Sequence, residues 1–314
     1  MSNATMQTIQ VHNYGGPEVL ILEQTSLPEP NADQVLIRLK AAGVNPADWK
    51  YRAGLYKQFM PLQFPWIPGL EGSGVVEVVG ANVTTWKKGD EVYGIVAGGY
   101  AEYALALARD VQPKPASLAF EEAASLPVGA LTAWGAVIDT ANVEAGQRVL
   151  VHGAAGGVGA YAVQFAQWKG AHVTGTASAK NLEFVRSLGA ENVIDYNAIR
   201  FETVLRDMDV VIDTVGGDLP ERSWQVIRPG GIFVTVAARL AEDAGKAQNI
   251  RAVSAGRSST DKLKQISELV EAKQLKPVPG ALFPFAEARR GQELSQAGHG
   301  RGRIILQIGN DKLN

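Results

Sequence analysis

"VLVHGAAGGVG", residues 149–159, sets an apolar run and one His directly against a loop made only of Gly, Ala and Val. A dinucleotide-binding unit needs three small residues after its first strand: one for the turn, one for close approach to a pyrophosphate, one for packing helix on strand. Ala154, Gly156 and Gly159 stand in those places as A-x-G-x-x-G, with Gly153 just ahead. The same pattern also describes a small-residue turn that merely lets a helix pack on a sheet. Its surroundings favour the nucleotide reading. A helix-like stretch with apolar Val163, Phe165 and Ala166 follows, and a second apolar strand comes about 20 residues on. The free N–H groups and positive dipole end of that helix would face the loop and make it an anion site.

The second strand, HVTGTA at 172–177, would end in Asp or Glu if the cofactor were NAD, since that carboxylate holds the ribose 2′-hydroxyl. Thr176 stands there instead, Ser178 and Lys180 follow, and the next strand, NVIDYN, brings Tyr196 to the same sheet edge. A hydroxyl, an ammonium and a phenol in place of a carboxylate suit a 2′-phosphate, so the expected cofactor is NADPH. Taken alone, Lys180 reads equally as a solvated first-turn lysine.

The 314 residues are 46% hydrophobic and 20% charged with a net charge of -2, an ordinary balance for a soluble protein. Bulk charge gives no reason to expect a nucleic-acid partner. With no cysteine in the chain, disulfides, thiolate zinc sites, iron–sulfur clusters and thiol nucleophiles are excluded. No apolar run approaches the roughly 18 residues of a spanning helix, and MSNATMQTIQ lacks a basic region followed by an apolar one. No membrane partner is expected, and a cytoplasmic location is. The polar residues before Met6 read as an addition ahead of the first strand.

Over the first 125 or so residues, short alternating strands (TIQVH, VLILE, QVLIRLKAAGV, GSGVVEVVG, DEVYGIV, YAEYALA) are broken by Gly and Pro, as in a partly open barrel. From about Pro127 the pattern becomes apolar strand, loop, helix, repeated, which specifies a parallel sheet covered on both faces. TDKLKQISELVEAKQL and FPFAEARRGQELSQ read as helices, LPERSWQVIRPG as another, and the last strand, GRIILQIG, is expected to return to the β-rich region. The expected fold is α/β: a β-rich domain over 1–127 and 274–314, and a doubly wound domain over 128–273.

Ordered motifs along nearly the whole chain carry a resemblance: NYGGPEVL (13–20), AAGVNPADWKYRAGLY (41–56), PWIPGLEGSGVVEVVG (65–80), KKGDEVYG (87–94), LTAWGA (131–136), HGAAGGVG (152–159), LGAENVIDY (188–196), DVVIDTVGG (209–217) and GRGRIILQI (300–308). The chain resembles the zinc-independent, zeta-crystallin-like NADPH:quinone oxidoreductases of the medium-chain dehydrogenase/reductase superfamily. The resemblance implies a GroES-like catalytic domain and an inserted Rossmann domain. Zinc-dependent relatives carry Cys and His–Glu ligands where this chain has Asn45 and Leu70–Glu71, so such a zinc is not expected here. The resemblance also implies Asn45 near the nicotinamide and substrate carbonyl and Thr132 near the nicotinamide ribose and phosphates. It places Ala155, Gly156, Gly157 and Val158 under the pyrophosphate, Thr176, Ser178, Lys180 and Tyr196 around the adenosine phosphate, and Val215 and Arg303 beside the cofactor. Arg301 is an alternative to Arg303, and Lys50 replaces a tyrosine found in some relatives.

Without a metal, the charge growing on a substrate oxygen during hydride transfer needs a side chain, a backbone N–H or water as donor. Asn45 and Tyr56 are the catalytic candidates, since each donates without first losing a proton. Their plainer alternatives are a turn-forming Asn before Pro46 and an aromatic packing residue, and Asp48 reads as structural. Trp49, Tyr51, Tyr56, Phe59, Phe64 and Trp66 gather aromatics that suit a flat apolar substrate, a quinone or an α,β-unsaturated carbonyl reduced at its double bond. A different class of protein, one that binds NADPH without turnover, stays open on sequence. IRAVSAG (250–256) reads as a strand, and the resemblance implies that it extends the sheet across a two-fold axis as in family members, so a homodimer is expected.

Overall fold

A computed structural model of the chain describes residues 4–298 and 300–309. They fall into two compact units, one within Met1–Val128, Thr260–Glu271 and Pro277–Asn314, the other within Gly129–Ser259 and Ala272–Lys276. Residues 1–3 of the stretch before Met6 lie outside the described residues.

In the first unit β1 (Thr5–Gln10) and β2 (Ile21–Ser26) pair as a hairpin. The main sheet is built on β3 (Gln34–Val44), with β4 (Glu71–Val79), β5 (Glu91–Ile95), β6 (Tyr103–Leu107) and β7 (Val111–Pro113). Val35, Leu36, Ile37, Leu39, Ala41, Ala42 and Val44 are all buried, so β3 is apolar on both faces. It is correspondingly the central strand, flanked by β4 and β6. Between β3 and β4 runs α1 (Pro46–Arg52), which opens with Asn45 at its N-cap, Pro46 at its first position and Asp48 at its third. The strands expected over this region are present, but β3 is buried on both faces instead of alternating. Helix α2 (Phe120–Ala124) follows in this unit, and α3 (Pro127–Trp134) begins at its end but belongs mostly to the second unit, where it passes into a π-helical turn over Gly135–Thr140.

The second unit holds β8 (Arg148–His152), β9 (His172–Ala177), β10 (Asn192–Asp195), β11 (Met208–Asp213), β12 (Ile227–Thr235) and β13 (Arg251–Ser254). They form one parallel sheet in the order β10-β9-β8-β11-β12-β13. Counted within the unit this is 3-2-1-4-5-6, the doubly wound dinucleotide order, whose direction reverses between β8 and β11. Val149, Leu150, Val151, Val211 and Ile212 are fully buried because helices cover both faces. Those connections contain α4 (Gly159–Trp168), α5 (Leu182–Ser187), α6 (Phe201–Val204) and α7 (Leu219–Ser223). The helix expected over LPERSWQVIRPG is shorter than its pattern. It ends at Ser223, and Pro229–Gly230 lies within β12, where Gly230 takes a φ of +79°.

One boundary differs from the expectation. Helix α8 (Lys262–Glu271) belongs to the first unit, not the second. Its buried Leu263 and Ile266 face that unit, and the Tyr93 hydroxyl on β5 donates to the Leu263 carbonyl at 3.1 Å and lies 2.8 Å from Ser267 Oγ. The chain ends in β14 (Pro279–Pro284), α9 (Ala288–Ala297) and β15 (Arg303–Gln307). As expected, the last strand returns to the β-rich unit, where β15 pairs antiparallel with β3, Ile305 opposite Gly43.

Candidate active site

The glycine loop sits at the carboxyl end of β8, where the strand order of the second unit reverses. Gly153 has a φ of +69°, so the turn role falls to it and not to Ala154, one residue later. Ala154 is buried, and its N–H donates to the Thr176 carbonyl at 3.0 Å, tying the loop to β9. A Cβ on Gly159 would overlap the Gly153 carbonyl, which makes Gly159 the close-packing residue. The amides of Ala155, Gly157 and Val158 have no acceptor among the described residues, and no side chain caps α4. Unsatisfied amides at the start of a ten-residue helix form a cradle for an anion.

Across the reversal, β11 ends at Asp213. Its Oδ1 accepts from the amides of Val215 and Gly216, both at 2.9 Å, and its Oδ2 accepts from Thr235 Oγ1 at 2.8 Å. The carboxylate thus fixes the next loop, and Val215 is exposed beside Gly153, where an added Cβ would meet Val215 Cγ2 at 2.8 Å. Asp213 went unnoticed in the sequence, although an acid ending an apolar strand just before Val-Gly-Gly was its signal.

At the ends of β9 and β10 the structure gathers Ser178, Lys180 and Tyr196. Tyr196 N–H donates to the Ala177 carbonyl at 3.2 Å, and Ser178 Oγ accepts from Asn181 Nδ2 at 3.2 Å. Lys180 is exposed in the turn Ala179–Asn181 with no ion pair among the described residues. Thr176 differs from its neighbours, because it is buried and its hydroxyl lies 3.2 Å from His152 Nδ1. His152 Nε2 lies 3.2 Å from Ser223 Oγ, and burial pushes this imidazole down to about 4. A neutral, internally bonded His152 is a packing residue, and Thr176 serves it.

In the first unit Asn45 is buried and its carboxamide is held from both ends. Nδ2 donates to Glu71 Oε1 at 2.9 Å, while Arg303 Nη2 donates to Asn45 Oδ1 at 2.7 Å and also bonds Glu71 Oε1. Glu71 Oε2 accepts from the Val128 amide at 2.7 Å. The Asn45 backbone N–H donates to Asp48 Oδ2 at 2.8 Å, so Asp48 closes the first turn of α1 and leaves the Asn45 side chain for other partners. Tyr100 OH donates to the same oxygen at 3.1 Å. Burial nevertheless pushes the Asp48 carboxyl up to about 7, against the lowering pull of those two donors.

Tyr56 is partly exposed, and no hydrogen bond joins it to Asn45 among the described residues. Its ring meets Tyr51 edge-on at 5.2 Å, and Tyr51 meets Trp66 at 6.3 Å. The remaining aromatics do not all join them. Phe64 packs on Tyr14 at 5.0 Å, and Phe59 is 83% exposed. Thr132 lies in α3, one turn before the π-helical segment of the second unit.

Residues 31–116 match the alcohol dehydrogenase GroES-like domain and residues 188–306 the zinc-binding dehydrogenase family. The quinone oxidoreductase of Mus musculus is 34% identical over 96% of this chain and 98% of its own. The solved quinone oxidoreductase of Coxiella burnetii superposes with a TM-score of 0.90 at 34% identity, over 97% of this chain and all of that one. The CurK enoyl reductase superposes at 0.88 with 26% identity, over 96% and 99%. A GroES-like β unit with a doubly wound unit defines an oxidoreductase of the medium-chain dehydrogenase/reductase class, which works with a nicotinamide cofactor. Within that class the chain belongs to the quinone oxidoreductase family.

The zinc named in one family description finds no matching donor set here. The chain has no cysteine, Leu70 stands beside Glu71, and the Glu71 carboxylate is already paired with Arg303. Among the described residues no group of three or more His, Cys, Asp or Glu side chains could hold a metal ion. The glycine loop, in contrast, fits a nicotinamide dinucleotide, with amides unclaimed among the described residues.

Proposed function

We propose that this protein is an NADPH-dependent, zinc-independent reductase of quinones. The observation that carries the reading is the one-third identity, end to end, with proteins that bear the name quinone oxidoreductase. NADPH, when bound, supplies a hydride; with one proton it converts a quinone to a hydroquinone. The chain binds the pyrophosphate through the Ala155–Val158 amides and the 2′-phosphate through Ser178, Lys180 and Tyr196, with Thr132 and Val215 flanking the cofactor. Asn45 donates an N–H to the substrate oxygen as negative charge grows there. The Tyr56 hydroxyl is the second donor, and the Tyr51–Tyr56–Trp66 cluster offers flat apolar surface.

NADPH is favoured over NADH because an unpaired ammonium and two hydroxyl groups stand where an NAD site keeps a carboxylate. Lys180→Ala should weaken NADPH binding roughly 10- to 100-fold while changing NADH binding less than about twofold. Equal losses for both cofactors in a fluorescence titration contradict the 2′-phosphate assignment. A second reading, reduction of an enone at its double bond, draws on the likeness to the CurK enoyl reductase. Product analysis after turnover with a paired quinone and enone panel separates the two.

The same reading includes a cytoplasmic homodimer. Strand β13 is the edge of its sheet, paired with β12 alone among the described residues, and so presents a free edge to a second copy. Sedimentation should give twice the 33.5 kDa chain mass, and a single-chain mass at micromolar concentration contradicts it.

A further inference from the structure

Three side chains that the sequence separates widely meet inside the first unit. Asn45, Glu71 and Arg303 are all buried. A carboxamide has two hydrogen-bonding ends of similar shape, and a cation at one with an anion at the other fixes which is which. Arg303 claims Oδ1 and Glu71 claims one N–H, so the second N–H is the hydrogen-bonding group that Asn45 has left. Stability is a poor reason for this arrangement, because a buried ion pair gains little over apolar packing of the same volume. Arg303 Nε is moreover buried without a hydrogen-bond partner among the described residues, a cost that a purely structural pair would avoid.

We propose that Glu71 and Arg303 are positioning residues that hold the Asn45 carboxamide with its free N–H toward the oxygen of a neutral carbonyl substrate. The Arg303 guanidinium supplies beside Glu71 the fixed positive charge that a metal ion would otherwise bring. This rests on the reductase reading above. It also assigns Arg303 to Asn45, in place of the cofactor contact that the family resemblance implied.

The test compares Asn45→Ala, the charge-neutral double variant Glu71→Gln/Arg303→Met, and the triple variant. Asn45→Ala and the double variant should each lower kcat for quinone roughly 10- to 100-fold, with the NADPH dissociation constant within about twofold of wild type. The triple variant should lose no more than Asn45→Ala alone, since all three changes remove one contact. Effects that multiply, or wild-type kcat in the double variant, overturn the proposal. So does a loss confined to NADPH affinity, which would return Arg303 to the cofactor. If the double variant does not fold, Arg303→Lys replaces it. The ammonium keeps Glu71 paired but lacks the planar fork, so a several-fold loss in kcat is expected and unchanged kcat overturns the proposal. Failure of the wild-type protein to oxidise NADPH with any quinone or enone acceptor contradicts the reductase reading alone. The orientation is then read from the side-chain amide resonances of Asn45, identified by their loss in Asn45→Ala. Glu71→Gln must shift them, and unshifted resonances refute the restraint.

Discussion

Asp48 is a carboxyl group working against its surroundings. Its proton is held up to about 7 in the folded protein against an ordinary 3.8, so between those values the folded state binds more protons than the unfolded one. This residue therefore costs stability increasingly as pH rises through that window. Its buried neighbour-in-kind His152 has the opposite sign: lowered to about 4, it costs stability as pH falls below 6.5. Comparison with Asp48→Asn isolates the first effect. Relative to wild type, the variant should gain up to about 4 kcal/mol in unfolding free energy between about pH 4 and pH 8, with no change in slope contradicting the burial argument. Arg303 gives a second expectation, because removing it strands the Glu71 charge. Arg303→Met should lose about 3–5 kcal/mol in denaturant unfolding, most of it recovered in Glu71→Gln/Arg303→Met. Asn45 and Lys180 could both be singled out from the sequence, the one as a neutral donor before Pro46 and the other as a cation after a strand that lacks the NAD carboxylate. The Glu71–Arg303 pair was not, because 232 positions separate its members and no local pattern reports such a contact.

Elements were legible where burial and periodicity agree. The strands of the parallel sheet announce themselves because both of their faces are covered, whereas β3, expected to alternate, is buried on both faces through its place at the centre of its sheet. The first turn of α1 carried its signal too, an Asn followed by Pro and then Asp three residues on, but reads as a turn when the helix is short. Helix α7 was overextended, since the Trp224–Gln225–Val226 stretch keeps a helical look while Pro229 and Gly230 already belong to a strand. The π-helical turn after α3 has no periodic signature; its cause is packing. Gly135 lies so close to the 256–258 segment that a Cβ would overlap the Gly256 carbonyl, and the Ser258 N–H donates to Leu131 O at 3.0 Å. Gly135→Ala should therefore cost about 1–3 kcal/mol in stability by thermal or denaturant unfolding. Gly159→Ala strikes the equivalent contact on the cofactor loop and should weaken NADPH binding at least about tenfold, as the loop shifts to clear Gly153. Unaltered affinity there would remove the glycine loop from the cofactor site.

At the scale of the whole chain, the change from alternating strands to strand–helix repeats near Pro127 marks the passage between two units, each with its own core. The return of the last strand followed from its lack of a helical partner. Helix α8 did not follow, because an amphipathic helix shows which face it buries and not against what. The parallel order 3-2-1-4-5-6 puts a glycine loop with unclaimed amides at the reversal of the sheet, and the other unit carries a buried carboxamide pinned between an acid and a base. Nicotinamide chemistry without zinc is the claim on which these features converge. Metal-stripped protein mixed with NADPH and a quinone, while the absorbance of the reduced nicotinamide is followed, tests it most directly. The account predicts oxidation of NADPH with one hydroquinone formed per NADPH, faster than with NADH and unchanged by added zinc. No oxidation with any quinone, or activity that appears only after zinc is restored, contradicts it.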